Sequence, residues 1–417
     1  MGCGSRRRVV ITGMGAVTPL GNTVDEFWRS LKEGRSGVAR MSLCDPSSYP
    51  TQIAAEVKGF DPATYIEPKE ARRMSRFIQF AIGVTEMALQ DANLTLDNSL
   101  RDNVGVILGT SVGSLSNIEK EARVLVERGG MKINPFFLPM MLPNMGAAQI
   151  SRLFGLRGPN STIVTACASS THAIGEATET IRRGAADVIL TGGSEASICE
   201  FGLASFCVLR ALSTRNDDPP HASRPFDLQR DGLIPSEGAA LLVLESLEHA
   251  RRRGASILAE IIGYGSSSDA YHVVAPEPEG YGAALAMQRA MDDAGVQPAE
   301  VDYINAHATS TTLGDIAETL AIKRVFGERA YMVPISATKS MIGHAMGAGG
   351  ALETVACVMT IREGIIHPTI NYETPDPQCD LDCVPNQARA AKVDVALCNS
   401  FGFGGQNAVL VLRAYHE

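Results

Sequence analysis

Short β-branched segments and amphipathic helical segments alternate from one end of this chain to the other, and no other feature constrains its fold as strongly. Arg8–Thr12 reads as a strand that stops at Gly13-Met14-Gly15, and Val24–Glu33 reads as a helix. The stretch from Ala71 to Asp91 predicts one long amphipathic helix, and Val104–Leu108 a strand ending in Gly109-Thr110-Ser111. Further strands fall at Asp187–Leu190, closing on Gly192-Gly193, and at Ala239–Glu245. Alternation of this kind argues for an α/β class with crossover connections.

The second part of the chain repeats the grammar. Ile257–Gly265 is a strand, Gly282–Ala294 a helix, and Val301–Asn305 a strand that runs into Ala306-His307-Ala308-Thr309-Ser310. That ending echoes the Thr-Ser turn after Val104–Leu108. Leu352–Arg362 is helical, and Ala396–Cys398 is a strand leading into a glycine-rich turn. The order predicts two related halves, residues 1–255 and 256–417, and a chain of 417 residues is long enough for both.

Charge and cysteine usage narrow the function. The formal net charge is −9, which does not point to nucleic acid. Against that average, Lys69, Arg72, Arg73 and Arg76 cluster on the 71–91 helix and its approach, either as a solvated face or as a docking site for an acidic partner. The 9 cysteines are scattered and odd in number, and Arg6-Arg7-Arg8 runs straight into VVITGMG without a signal-peptide apolar region, so a reducing cytoplasm is expected. Cys379 and Cys383 have no second ligand pair nearby, so no metal is expected there. Met1-Gly2 resembles the start of a myristoylation signal, but Arg6 stands where Ser or Thr is required. No apolar run is long enough to span a bilayer.

Candidate chemistry centres on VTACASS, residues 164–170. Ser161–Thr165 reads as a strand, and Ala173, Ile174, Ala177 and Ile181 recur at helical spacing. Cys167 therefore sits at a strand-to-helix turn, where the helix dipole favours thiolate over thiol. The local pattern suits both a nucleophile and an inert core cysteine. A thiolate nucleophile needs a proton partner and donors for developing negative charge. Of the 8 histidines, His307 in NAHATST and His344 in TKSMIGHAMGAGG follow strands, where α/β enzymes place their sites, whereas His249 and His416 lie in polar surroundings that suit the surface. Lys339 precedes His344 among Ser, Thr and Gly, and Glu353 lies on an otherwise apolar helix, where it needs a partner; Lys339 suits that role. SFGFGGQN, residues 400–407, lacks both the P-loop lysine and the dinucleotide spacing, and reads as an apolar flap on a hinge or as a tight turn.

Taken in order, TACASS, SRPFDLQRDG, NAHATST, TKSMIGHAMGAGG and NSFGFGGQN resemble the motifs of β-ketoacyl-acyl-carrier-protein synthases of the type II, elongating kind, over nearly the whole chain. The resemblance implies a thiolase-like layered αβαβα sandwich of two duplicated halves, forming a homodimer. It implies decarboxylative Claisen condensation without metal or redox cofactor. Cys167 would take an acyl chain from the phosphopantetheine arm of an acyl carrier protein. His307 and His344 would stabilise decarboxylation of malonyl-carrier protein and the resulting enolate. The backbone N–H groups of Cys167 and Phe401 would form the oxyanion hole, with Phe401 also gating the acyl chamber. Lys339 and Glu353 would support the histidines, and Val112 would line the acyl pocket. Lys69, Arg72, Arg73 and Arg210 would dock the acidic carrier protein.

Three positions depart from the family pattern. Ala308 replaces a common glycine, Gln406 a common threonine, and Ile234-Pro235-Ser236-Glu237-Gly238 the usual run ending Gly-Glu-Gly. The rival readings are a type II polyketide ketosynthase, a thiolase, and a non-catalytic chain-length-factor-like partner. GHAMGAGG argues against a thiolase. Cys167, present with both histidines, argues against the non-catalytic partner.

Overall fold

The computed structural model describes residues 6–416, so the Met1-Gly2 reading lies outside the described residues. Ten strands form one sheet: β1 (Val9–Val17), β2 (Val104–Gly109), β3 (Asn160–Ile163), β4 (Val188–Glu195), β5 (Gly238–Ser246), β6 (Ala259–Ser268), β7 (Tyr303–Asn305), β8 (Ile335–Ser336), β9 (Val395–Gly402) and β10 (Gln406–Arg413). Their order across the sheet is β8-β7-β9-β10-β6-β1-β5-β4-β2-β3. The first five strands occupy one side and the last five the other. Read outward from the β1–β6 junction, each side places its first, fifth, fourth, second and third strand in turn. In each side the second strand pairs parallel with the third and fourth, while the fifth runs antiparallel to both of its neighbours.

Alternate residues along the strands feed different layers, as the pleat dictates. Leu241 and Val243 of β5 face α1 (Arg76–Asp91), while Leu242 and Leu244 face a central layer. That layer holds α2 (Ser169–Arg182) and α5 (Gly349–Glu363), and the other half contributes Leu410 and Leu412 to it. Val409 and Val411 point the opposite way, to α3 (Tyr281–Ala294) and α4 (Thr312–Phe326). The layers thus run helix, sheet, helix, sheet, helix. Among the described residues no helix is long and apolar enough to cross a membrane.

Most element boundaries shift by a few residues from the sequence reading, and three differences have a clear physical cause. The 71–91 helix is broken: Pro68–Ala71 forms a separate turn capped by the Glu67 side chain, and α1 begins only at Arg76. β1 does not stop at Gly13 but runs to Val17, because Gly13 and Gly15 keep their ladder partners Val243 and Leu241, and the ladder belongs to the backbone. For the same reason β4 passes through Gly192-Gly193 to Glu195.

Candidate active site

Cys167 lies in a single 3₁₀ turn, Ala166–Ala168, between β3 and the start of α2 at Ser169. The chain bends there by placing Ala166 at φ 50°, a conformation that costs a non-glycine residue roughly 1–2 kcal/mol. Ser169 holds the bend: its Oγ donates to the carbonyl of Ala166 at 2.7 Å and accepts the N–H of Thr165 at 2.9 Å. Cys167 faces a cavity of about 350 Å³ that His307, His344 and Phe401 also line. The low thiol pKa expected from the helix dipole is not realised. Burial pushes the thiol up to about 11, against the opposing pull of the Lys339 charge and the backbone N–H of Phe403.

Within the 400–407 segment, residues 403–405 make the tight turn of the hairpin between β9 and β10, with Gly404 and Gly405 at φ 80° and 68°. Phe401 lies within β9, opposite Asn407, with its ring centroid 5.7 Å from that of His307. The N–H beside the thiol belongs to Phe403, which corrects the assignment of the second oxyanion donor to Phe401. The one-residue difference arises in the turn, whose register the sequence does not reveal. Gly402 lets the strand pass directly over the nucleophile: a Cβ there would lie 3.0 Å from the Cys167 nitrogen.

His307 follows β7, and His344 lies between β8 and α5. The two rings meet edge to face with centroids 5.5 Å apart. Both are held well below the usual imidazole range, first by burial and then by the Lys339 charge, so both are neutral near pH 7. Neither ring nitrogen of His344 has a protein hydrogen-bond partner. Its backbone is clamped on both sides, donating to Ile234 O at 2.8 Å and accepting from Ser236 N at 3.1 Å. The unusual 234–238 run is therefore the mount of His344.

Lys339 and Glu353 form the expected buried ion pair. Lys339 Nζ also lies 3.4 Å from His307 Nδ1. An ammonium only donates, so Nδ1 accepts and the ring proton of His307 sits on Nε2. Burial raises Glu353 to about 7, opposed by Lys339. Glu318 escaped the sequence reading. Buried on α4, it accepts the N–H of His307 at 2.8 Å and of Ala308 at 2.7 Å, and Asn399 Nδ2 at 3.0 Å. The argument that singled out Glu353 does not reach it, because α4 also carries Asp315, Lys323 and Arg324 and nothing local marks one carboxylate as buried. Arg230 of SRPFDLQRDG pairs with Asp376 at 2.7 Å and donates to the carbonyls of Thr311 and Thr312, fixing the segment that follows His307.

Arg210 is exposed and lines the rim of the cavity; Lys69, Arg72 and Arg73 are exposed around the broken helix. Arg73 stacks its guanidinium 4.5 Å from the Phe136 ring centre. Arg76, from the same cluster, is committed to Glu237 at 2.7 Å. Val112 does not line the Cys167 cavity within this chain; it is 43% exposed. His249 is a half-buried partner of Glu245 rather than a surface residue. Its carboxylate partner lies only four residues upstream, but Glu245 is fully buried at the end of β5 and holds the ring inward.

Two family models match the chain: "Beta-ketoacyl synthase, N-terminal domain" over residues 6–250 and "Beta-ketoacyl synthase, C-terminal domain" over residues 258–373. The chain is 47% identical to "3-oxoacyl-[acyl-carrier-protein] synthase 2" of Synechocystis sp., across 98% of this chain and 99% of the relative. Among solved structures, "the ishigamide ketosynthase/chain length factor" superposes with a TM-score of 0.93 at 38% identity, covering 99% of this chain and 100% of that one. A type II polyketide ketosynthase bound to a hexaketide, in complex with its acyl-carrier protein, superposes with a TM-score of 0.90 at 37% identity over 99% and 100% of the two chains.

Proposed function

The chain belongs to the β-ketoacyl synthase family, and on that premise we propose how its residues divide the work. It is a condensing acyltransferase of fatty-acid synthesis that extends an acyl chain by decarboxylative condensation. The observation that carries the assignment of roles is the single cavity onto which Cys167, His307 and His344 all face.

In the first half-reaction Cys167 attacks the thioester of an acyl-carrier protein. A new C–S bond forms, the bond to the phosphopantetheine sulfur breaks, and the thiol proton ends on the departing arm. The N–H groups of Cys167 and Phe403 donate to the transient oxyanion. In the second, malonyl-carrier protein loses CO₂, and the electron pair of the broken C–C bond enters an enolate. His307 donates to the enolate oxygen from Nε2, and His344 from a ring nitrogen. Neutral imidazoles suit this task because they donate without surrendering a proton to the carbanion. The carbanion attacks the acyl thioester, and the Cys167 sulfur leaves as thiolate and takes a proton from solvent. The product is longer by two carbons. Lys339, held by Glu353, acts through His307 rather than on substrate.

The carrier protein is acidic in this reading and docks on Lys69, Arg72, Arg73 and Arg210, whose exposure supports it. The halves 1–255 and 256–417 are the structural units, a division supported by the matching strand orders on either side of the β1–β6 junction. A second copy covers β3. That strand ends the sheet with an open edge, and Val112 and Val164, which follow its paired strand ends, are 43% and 52% exposed. Val112 then reaches an acyl pocket only in the dimer. A reducing cytoplasm suits the eight described cysteines, all unpaired.

Incubation with acyl-carrier proteins of several lengths plus malonyl-carrier protein, followed by intact mass spectrometry, tests the assignment. The expected result is an acyl adduct that Cys167→Ala abolishes, and a β-ketoacyl product two carbons longer. An adduct that extends only with a polyketide-type acceptor would move the enzyme to polyketide synthesis. No adduct from any donor would remove Cys167 from the mechanism.

A further inference from the structure

Behind the histidine pair runs a buried polar chain that the reaction does not consume. His367 is fully buried. Its Nδ1 lies 3.1 Å from the Pro368 carbonyl and its Nε2 lies 3.0 Å from Thr338 Oγ1. A carbonyl only accepts, so the ring proton sits on Nδ1, and Nε2 receives the Thr338 hydroxyl. Thr338 Oγ1 in turn accepts Asn305 Nδ2 at 2.9 Å. The amide's other proton reaches the Tyr303 hydroxyl at 3.1 Å, and that hydroxyl shares a hydrogen bond with Ser336 Oγ at 2.6 Å. With the His367 proton on Nδ1, the links join into one buried pattern in which Asn305 Oδ1 is left without a partner. Burial brings the pKa of His367 down to about 4, which keeps the ring in the neutral form this pattern needs.

The positions joined are the ones that matter. Asn305 is two residues before His307, Thr338 immediately precedes Lys339, and their strands lie side by side with Asn305 opposite Ser336. The residues after His367 grip the same turn: Thr369 Oγ1 accepts the Ala337 N–H at 3.0 Å, and Ser340 Oγ accepts the Ile370 N–H at 3.1 Å.

We propose that His367 is a positioning residue for the decarboxylation half-reaction: as acceptor for Thr338 it fixes Lys339 against His307, and so keeps the His307 proton on Nε2, facing the cavity. The inference rests on the role given above to His307. Its test measures the half-reactions separately, CO₂ release from malonyl-carrier protein and acylation of Cys167 by acyl-carrier protein, with thermal midpoints recorded alongside.

His367→Leu removes the acceptor, His367→Gln offers an amide oxygen in its place, and Thr338→Val removes the linking hydroxyl from the other side without changing shape. His367→Leu and Thr338→Val are expected to slow decarboxylation about 10- to 100-fold, the size of effect that outer-shell partners of metal-bound imidazoles have. Acylation of Cys167 stays within about twofold, and His367→Gln recovers most of the lost rate. If His367→Leu does not fold, Thr338→Val decides alone. Equal loss of both half-reactions, or unchanged decarboxylation in Thr338→Val, overturns the positioning role. Decarboxylation that survives in His307→Ala overturns instead the reading on which it rests.

Discussion

The turn that leads into α2 and the turn that leads into α5 occupy matching places in the two halves, and they have been put to different uses. Each follows the third strand of its half, and each is a single 3₁₀ turn, Ala166–Ala168 and Met346–Ala348. Each opens on a non-glycine residue in the left-handed region, Ala166 at φ 50° and Met346 at φ 44°. The residue that follows is Cys167 in one and Gly347 in the other. Above Cys167 there is a cavity, whereas a Cβ on Gly347 would lie 2.3 Å from the Ser111 nitrogen. Glu195 fills the space around that second turn, accepting Ser111 N at 2.6 Å and Gly347 N at 3.3 Å. Duplication thus supplied two identical bends; one kept room for a nucleophile, while the other was packed shut and its flank was given to His344 and Lys339.

The largest effect that sharpens this contrast is loss of the nucleophile. Cys167→Ala should lower condensation by about 10³-fold or more, since no neighbouring group can replace the sulfur. Its thermal midpoint should hardly move, because alanine keeps the turn and removes one atom beside an existing cavity. A variant that still condenses would show that the first turn is not the reactive one.

Next in size, His307→Ala and His344→Ala should each slow malonyl decarboxylation by about 10²- to 10⁴-fold while sparing acylation of Cys167. Separate assays of the two half-reactions check this. If acylation falls equally, the division of labour between the halves is wrong.

These contrasts also mark what could be read in the sequence. The alternation of elements, the Cys167 turn and the Lys339–Glu353 pair are local or chemically forced: an apolar helix cannot hold a lone Glu353 without a cation. Strand order was not legible, because neighbours in the sheet such as β1 and β6 are some 250 residues apart and nothing local reports their pairing. The second oxyanion donor was placed on Phe401 rather than Phe403 because two equal rings flank one glycine and only the hairpin register distinguishes them. The thiol pKa was misjudged because the helix N-terminus is visible in the sequence while burial is not.

A smaller effect tests the packed turn directly. Gly347→Ala should cost about 1–3 kcal/mol of stability, since the new methyl meets backbone at Thr110-Ser111 that cannot step aside. Denaturant unfolding measures it. Cys167→Ala, at the matching position of the first turn, meets no such wall and should cost well under that. Equal losses in the two turns would mean that they are packed alike after all.

The subtlest difference between the halves is their response to pH. His307 and His344 lie well below an ordinary imidazole, because burial and the Lys339 charge both disfavour the cation. An imidazole of pKa about 6.5 would be roughly three-quarters protonated at pH 6, whereas these two remain neutral. Decarboxylation should therefore stay level from pH 8 down to pH 6. Cys167 is shifted the opposite way for the same reason, since burial disfavours its anion and lifts the thiol to about 11. The thiolate fraction then grows as pH rises, so acylation of Cys167 should climb between pH 7 and 9 while decarboxylation does not. Initial rates of each half-reaction across that range separate the two. A fall in decarboxylation below pH 7 would mean that the histidines titrate normally or that Glu353, itself raised to about 7, takes up a proton and loosens its hold on Lys339. A flat acylation profile would mean that the bound acyl donor or a neutral imidazole takes the thiol proton in the same step as the attack, and that the first half no longer waits on a free thiolate.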